Sequence, residues 1–282
     1  MSYLSEATSA ETVNSRIGPD ANPRLRRVMS SLVSHLHAFI KDVELTEAEW
    51  ETAIGFLTRT GQISTDTRQE FILLSDALGV SMLVDAVNHR APEGATESTV
   101  FGPFHVEGAP ELPMGTCISL DGKGDICLYE GRVLDLDGNP IADALVDVWS
   151  DNADGFYDVQ QPDLQPKWNN RGVFRTGPDG VYAFRGIKPV SYPIPDDGPV
   201  GQMLTALGRH PWRPAHMHFR VTAPGHARLI THIFVGGDDY LTSDAVFGVK
   251  ASLIADFTPV QSATEQWRAA FNFVLRPSTA AG

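Results

Sequence analysis

The sequence predicts a mainly β protein with a helical N-terminal part, in which an antiparallel β-sandwich domain follows a helical domain. Three observations support this prediction. Apolar residues recur at helical spacing in the stretch before Ala91. From Thr96 onward, glycine and proline separate short runs that are rich in β-forming residues. One such run, His216-Met217-His218, places two histidines on one face of a strand.

Local signals set the bounds of the predicted helices. Asn22-Pro23 supplies a capping residue followed by a proline, which suits the first position of a helix. Thr46 and Glu49 have the spacing of a capping box and predict the start of a second helix. Apolar stripes then predict a third helix over residues 64–78 and a short fourth helix over residues 81–87.

Short β-rich runs alternate with turn sequences in the rest of the chain. Residues 137–140 (Asp-Gly-Asn-Pro) and 177–180 (Gly-Pro-Asp-Gly) have the composition of tight turns. Many short strands with such turns indicate a sandwich or barrel rather than a parallel βαβ sheet. The change of character at residues 91–94 divides the chain into a helical domain, 1–95, and a β domain, 96–282. The predicted strands span residues 128–134, 144–149, 173–175, 181–184, 216–222, 228–235 and 271–275.

Composition excludes several classes of protein. The net charge is −13 and no basic run is interleaved with aromatic residues, which argues against nucleic-acid binding. No window is long and apolar enough to span a membrane, and residues 1–20 lack the apolar stretch of a secretory signal, so we expect no membrane insertion. Cys117 and Cys127 are too few for a disulfide framework, which makes the cytoplasm the expected location.

Two pairs of side chains are candidates for metal binding. His216 and His218 point the same way from their strand, although one could be solvated and the other hydrogen-bonded. Tyr157 and Tyr192 lie in loops, where a tyrosine ordinarily packs its ring and hydrogen-bonds its hydroxyl. A phenolate is a hard oxygen donor, and together with two imidazoles it suits trivalent iron better than zinc. No motif of a nucleophilic or zinc-dependent hydrolase occurs.

These residues resemble one known family. Tyr157 after Asp-Gly, Tyr192 before Pro, and the His216-Met-His218 segment are similar to the motifs of the intradiol ring-cleavage dioxygenases, and the similarity covers residues 96–257. The resemblance implies a catalytic β domain with Fe(III) bound by Tyr157, Tyr192, His216 and His218, and an aromatic diol and O2 as substrates. It also implies a homodimer joined through the N-terminal helices, with a phospholipid in the groove between them.

The resemblance further implies two catalytic roles. Arg213 corresponds to the family's arginine that stabilises developing charge on the substrate. Tyr192 corresponds to the ligand that dissociates when the substrate binds. His232 departs from the pattern, because catechol-cleaving members carry glutamine at this point. We interpret His232 either as a group that hydrogen-bonds near the metal or as an ordinary strand histidine, and not as a ligand.

Pocket residues bear on the choice of diol. Catechol-cleaving members carry an acidic residue where this chain has Phe101. Together with His232 and the segment around Asp76, Phe101 makes this chain most similar to the members that cleave hydroxyquinol (1,2,4-trihydroxybenzene). The product of that reaction is 3-hydroxy-cis,cis-muconate, the enol of maleylacetate. Asp76 could accept a hydrogen bond from the third hydroxyl, unless it lies on the solvent face of its helix. Catechol, methylcatechol or chlorocatechol are the alternative substrates. By resemblance, the substrate-binding residues are Leu73, Asp76, Val100, Phe101, Gly102, Pro103, Phe104, Ile194, Pro195, Arg213 and Val246.

A protein of another class also matches part of the sequence. Residues 138–146 and 179–182 resemble prealbumin-like sandwich domains, many of which only bind partners. The two tyrosines and two histidines distinguish the hypotheses, because a binding module without an enzymatic role has no need of them.

Overall fold

The computed structural model describes residues 3–65 and 68–278. The chain divides into two compact units, residues 1–62 and 63–282. Helices of the first unit are α1 (Ser9–Asn14), α2 (Pro23–Asp42) and α3 (Glu47–Ile63), the last of which ends at the boundary. No helix among the described residues is both long and apolar enough to cross a membrane.

Both predicted helix starts in the first unit are confirmed. The Asn22 side chain accepts hydrogen bonds from the backbone N–H groups of Arg24 (2.9 Å) and Leu25 (3.1 Å), which have no partner within the helix. The Thr46 and Glu49 capping box also forms, with the Thr46 N–H donating to the Glu49 carboxylate at 2.9 Å. Helix α1 was not predicted, because its 6 residues are too few to show a periodic pattern.

The second unit contains α4 (Glu70–Ala77), α5 (Val80–Asn88) and α6 (Pro199–Ala206). The prediction of a helix over 64–78 is wrong at its start, and residues 66 and 67 lie outside the described part. Residues 64, 65, 68 and 69 are not helical, and the Thr65 N–H donates to the Arg68 carbonyl at 2.8 Å.

Among the described residues, twelve strands build the rest of the second unit, together with two 3₁₀ turns at Asp158–Gln160 and Ala251–Leu253. The strands are β1 (Ile126–Leu134), β2 (Leu145–Trp149), β3 (Arg171–Arg175), β4 (Val181–Ile187), β5 (Tyr192–Pro193), β6 (Trp212–Arg213), β7 (His216–Thr222), β8 (Leu229–Val235), β9 (Ile254–Ala255), β10 (Phe257–Pro259), β11 (Trp267–Ala270) and β12 (Phe273–Val274).

The strands form two five-stranded sheets and a two-stranded ribbon of β5 and β6. In the first sheet β1 pairs with β4, β11 and β12, and β10 pairs with β11; the second sheet has the order β3-β2-β7-β8-β9. The predicted fold class is confirmed, with one difference. The sheets are mixed rather than purely antiparallel, because β1 runs parallel to β11 and β12, and β8 runs parallel to β9.

The core lies between the two sheets. Tyr129 of β1 stacks on Phe184 of β4, with ring centroids 4.8 Å apart. Phe184 in turn approaches Phe219 of β7, a strand of the other sheet, at 6.3 Å. Met217 is fully buried in the same cluster. Since side chains alternate along a strand, the neighbours of Met217 on β7 point away from this core.

Gly131 allows the C-terminal segment to cross β1. A Cβ atom there would lie 1.8 Å from the carbonyl oxygen of Phe271, whose N–H donates to the Glu130 carbonyl at 3.0 Å. We therefore expect Gly131→Ala to lower the free energy of unfolding by at least about 3 kcal/mol in chemical denaturation. Gly177→Ala is the control, with an expected change below about 1 kcal/mol, because its Cβ would meet only a side-chain atom, at 3.4 Å. Equal losses in the two variants would contradict this account.

Candidate metal centre

Strand β7 carries His216 and His218 on the face opposite Met217, as the alternation predicts. Both histidines are 1% exposed, so they are not solvated surface residues. The Trp149 indole of the neighbouring strand β2 stacks on the His218 ring, with centroids 4.8 Å apart and planes 15° from parallel. This packing fixes the direction of the His218 ring.

The structure brings both candidate tyrosines to these histidines. The Tyr157 hydroxyl lies 2.8 Å from Nε2 of His218 and 3.3 Å from the Tyr192 hydroxyl. Gly155 makes this approach possible, since its φ is +81° and an added Cβ would lie 3.2 Å from the Tyr192 Cβ. A glycine is therefore required at position 155 for the two tyrosines to come this close to each other.

Arg213 joins Tyr192 to His216. Strand β5 pairs with β6, which sets Tyr192 opposite Arg213. One guanidinium nitrogen, Nη1, lies 3.1 Å from Nε2 of His216 and 3.5 Å from the Tyr192 hydroxyl. Nδ1 of His216 is 2.7 Å from the Pro214 carbonyl, to which it donates. His216 therefore presents the lone pair of Nε2 to the site, which is the tautomer that a metal ligand needs.

Burial keeps the tyrosines protonated and the histidines neutral in the absence of a metal. It raises the pKa of the Tyr157 hydroxyl, helped by the nearby Tyr192, and it also raises the pKa of Tyr192. Burial and the Arg213 charge lower the pKa of His216 to about 3, and burial lowers that of His218 well below its usual value. The four candidate donors are thus uncharged, and a strongly charged cation bound beside them would be needed to ionise the two phenols.

A cavity of about 360 Å³ lies beside this centre. Its lining includes five of the predicted substrate-binding residues, which are Asp76, Val100, Phe101, Gly102 and Pro103. Gly102 connects the cavity wall to the metal centre, because its Cβ position is 3.1 Å from Cε1 of His218.

The other predicted substrate-binding residues are not among the described residues that line this cavity. The Phe104 ring stacks on Tyr157 with centroids 4.5 Å apart. Arg213 contacts the metal centre, as described above. The remaining ones are Leu73, on the helix of Asp76, Ile194 and Pro195, which follow Tyr192 in the chain, and Val246, which is buried.

Asp76 is buried rather than on the solvent face of α4, with 6% of its surface exposed. Burial raises the pKa of its carboxyl, while a hydrogen bond from Ser81 and the charge of Arg213 act in the opposite direction. A buried carboxyl at the wall of a cavity retains capacity for a further hydrogen bond from a bound hydroxyl.

His232 also lies at the centre, opposite His218 on the paired strand β8. Its ring centroid is 4.1 Å from that of His218 and 4.7 Å from that of His216. The side chain is fully buried and lies near the Val100 backbone, but neither ring nitrogen makes a hydrogen bond of good geometry among the described residues. One ring nitrogen from each of the three histidines lies within 4.8 Å of the others.

Asp244, the buried partner of Arg213, was not among the residues predicted from the sequence. Its carboxylate lies 3.1 Å from Nε of Arg213 and accepts backbone hydrogen bonds from Val246 (3.2 Å) and Gly248 (2.9 Å). Burial alone would raise the pKa of this carboxyl, but the charge and hydrogen bond of Arg213 lower it. The two residues are 31 positions apart, and no local pattern connects them.

Comparisons with known proteins identify relatives of this chain. The family described as "Dioxygenase" matches residues 101–277, and that described as "Catechol dioxygenase N terminus" matches residues 22–96. Hydroxyquinol 1,2-dioxygenase of Rhizobium sp. is 59% identical over 93% of this chain and 88% of its own length. The structure of hydroxyquinol 1,2-dioxygenase from Pseudomonas putida has a TM-score of 0.92 at 48% identity, covering 97% of this chain and 99% of the other. Catechol 1,2-dioxygenase of Acinetobacter radioresistens has a TM-score of 0.85 at 28% identity, covering 99% and 95%.

These matches show that the protein is a ring-cleaving dioxygenase. Within that class, the chain belongs to the intradiol dioxygenase family. Enzymes of this family use iron, and the buried phenol and imidazole donors described above fit such an ion. Membership also excludes the alternative of a prealbumin-like module without enzymatic activity.

The ion pair with Asp244 predicts an effect on turnover. Asp244→Asn removes the charge that holds the Arg213 guanidinium, so we expect kcat/KM for ring cleavage to fall at least about 10-fold, as for the loss of a hydrogen bond to a charged group. Steady-state oxygen uptake measures this, and iron content is the control, because Asp244 contacts Arg213 and not the tyrosines. Loss of iron in proportion to activity would show that Asp244 acts on the metal centre itself.

Proposed function

We propose that this enzyme cleaves hydroxyquinol with O2 between its two adjacent hydroxylated carbons and forms 3-hydroxy-cis,cis-muconate, the enol of maleylacetate. The observation that carries the proposal is the buried Asp76 carboxyl at the wall of a cavity that borders the metal centre. The names of the similar hydroxyquinol enzymes support the same substrate. Both oxygen atoms of O2 enter the product.

The proposed ligands of the iron are Tyr157, Tyr192, His216 and His218, and the proposed oxidation state is Fe(III). Two phenolates are hard anionic donors, which favour a trivalent ion over a divalent one. Support comes from the hydroxyl–imidazole distance of 2.8 Å between Tyr157 and His218 and from the fixed tautomer of His216. When bound, the ferric ion would act as a Lewis acid and template that makes the diol reactive towards O2.

The protein's own side chains bind and orient the diol. Asp76 accepts the hydrogen bond of the third hydroxyl, which distinguishes hydroxyquinol from catechol. With iron bound, the Tyr192 oxygen would receive one proton that leaves the adjacent hydroxyls, and Arg213, 3.5 Å from that oxygen, would stabilise negative charge that develops on the substrate. Phe104, stacked on Tyr157, keeps water from the site.

The proposed assembly is a homodimer joined through the N-terminal helices, with a phospholipid in the groove between them. Helix α2 has no buried residue, and its apolar side chains Leu25, Leu32, Leu36 and Phe39 are each at least half exposed. An apolar stripe of this length favours a partner or an acyl chain. We also retain 1–95 as the dimerisation domain and 96–282 as the catalytic domain. The cytoplasm is the proposed location, supported by the free thiols of Cys117 and Cys127.

Two measurements test the activity. The purified iron-loaded protein is expected to show a visible tyrosinate-to-Fe(III) absorption band, and a colourless protein that does not respond to ferric ion would exclude the proposed ligands. Oxygen uptake with hydroxyquinol and with catechol under identical conditions tests the substrate. A higher kcat/KM for catechol would replace hydroxyquinol by the alternative substrate class.

A further inference from the structure

We propose that His216, His218 and His232 form a second, overlapping metal site that binds a divalent ion of the zinc type in competition with the ferric ion. The proposal rests on the assignment of His216 and His218 as iron ligands. It goes beyond that assignment in giving His232 a role as a ligand, for a different class of metal.

Geometry supports a site built from three imidazoles. One nitrogen from each ring lies within 4.8 Å of the other two, and all three side chains are at most 1% exposed. His218 and His232 face each other across the β7–β8 pair, and His216 stacks on His232 with planes 27° from parallel. The three rings are therefore held by strands rather than by loops, which limits their movement.

The His232 ring has unused donor capacity. It lies near the Val100 backbone, but neither of its buried nitrogens makes a hydrogen bond of good geometry among the described residues; the same holds for Nδ1 of His218. A buried polar atom without a hydrogen bond costs about 1–3 kcal/mol, so such atoms ordinarily have a ligand or a water as partner. A metal ion bound to His232 would remove this cost.

Donor chemistry separates the two metals. The ferric set includes two phenols, and their phenolate oxygens are hard anionic donors that favour a trivalent ion over a divalent one. Three neutral imidazoles with one open position are a known donor set for Zn²⁺ and need no deprotonation at neutral pH. A divalent ion should therefore take His232 in place of the tyrosines.

The hydrogen bond between Arg213 and His216 favours neither the ferric nor the divalent ion. Nη1 of Arg213 lies 3.1 Å from Nε2 of His216, and any metal at that nitrogen must displace this hydrogen bond. His216 belongs to both sets, so the cost applies equally to the ferric and the divalent ion. The difference lies in His232 against Tyr157 and Tyr192.

The test compares metal affinities in full-length, metal-free protein. Co²⁺ serves as the visible probe for the divalent site, and Zn²⁺ affinity follows from displacement of Co²⁺; ferric binding is followed by the tyrosinate band. His232→Gln is expected to weaken Zn²⁺ and Co²⁺ binding at least 10-fold and to change ferric binding less than threefold. Tyr157→Phe is the matched control, with the opposite pattern: weaker ferric binding and unchanged Zn²⁺ binding.

The outcomes distinguish this proposal from the proposed iron site. If His232→Gln leaves Zn²⁺ affinity within threefold of the wild-type value, the three-histidine site is wrong whatever the ferric result. If Tyr157→Phe keeps the tyrosinate band at its full wild-type intensity, Tyr157 is not an iron ligand, and the divalent site is then decided by the His232→Gln result alone. X-ray absorption spectroscopy of the Co²⁺-bound wild-type protein counts the imidazole ligands directly, so this test does not depend on whether a variant folds. Three imidazole ligands support the proposal, and two overturn it.

Discussion

Tyr157→Phe is expected to reduce the visible absorption of the ferric enzyme below its normal intensity and to lower turnover more than about 100-fold. A loss of that size exceeds the effect of removing a group that only supports a metal ligand. The substitution removes the hydroxyl oxygen that lies 2.8 Å from His218 and 3.3 Å from the Tyr192 hydroxyl, while the ring that stacks on Phe104 stays. Iron content, the absorption spectrum and oxygen uptake with hydroxyquinol measure the effect.

Tyr129→Phe is the matched control for that experiment. Tyr129 is as buried as Tyr157, and its hydroxyl donates to the Ile187 carbonyl at 2.7 Å, within the core between the sheets. Its loss should reduce stability by about 1 kcal/mol without changing the colour of the enzyme. Retention of the normal spectrum in Tyr157→Phe, or its loss in Tyr129→Phe, would contradict the proposed ligand set.

Asp76→Ala is expected to change substrate preference. If the carboxyl accepts the hydrogen bond of the third hydroxyl, kcat/KM for hydroxyquinol should fall about 10–100-fold, the range for one hydrogen bond to a charged group. The same value for catechol, which lacks this hydroxyl, should change less than threefold. Parallel oxygen-uptake measurements on the two diols give the ratio directly.

Asp76→Asn refines the comparison. The amide keeps the volume of the side chain beside Val100 and the hydrogen bond with Ser81, and it replaces a charged acceptor by a weaker neutral one. The kcat/KM of Asp76→Asn for hydroxyquinol should lie between the values of the wild type and of Asp76→Ala. Equal losses on hydroxyquinol and catechol in both variants would show that Asp76 supports the pocket without contacting the third hydroxyl.

Sequence patterns predicted the parts of the structure that depend on local chemistry. The caps at Asn22 and Thr46 and the strand from His216 to Thr222 follow from residues within a few positions of each other. The alternation of β7 also predicted that Met217 and the two histidines lie on opposite faces of the sheet, and the structure places the Met217 face in the core.

Features that depend on residues far apart in the chain were not predictable in this way. Asp244 meets Arg213 across 31 positions, and its own local sequence resembles an ordinary acidic loop. The parallel pairing of β1 with β11 and β12 was missed because the alternation within a strand carries no information about the direction of its neighbour. Asp76 was ambiguous for a similar reason, since the apolar stripe of a short helix leaves its other faces undetermined.

The contact between Gly102 and His218 has a consequence for engineering substrate range. One glycine forms part of the substrate wall and also stands 3.1 Å, measured from its Cβ position, from a carbon of a proposed ligand ring. Any side chain added there to reshape the cavity would also press on that imidazole, so a library at this position would select for metal retention as well as for ring size. Colour intensity would then screen such variants before any assay with a diol.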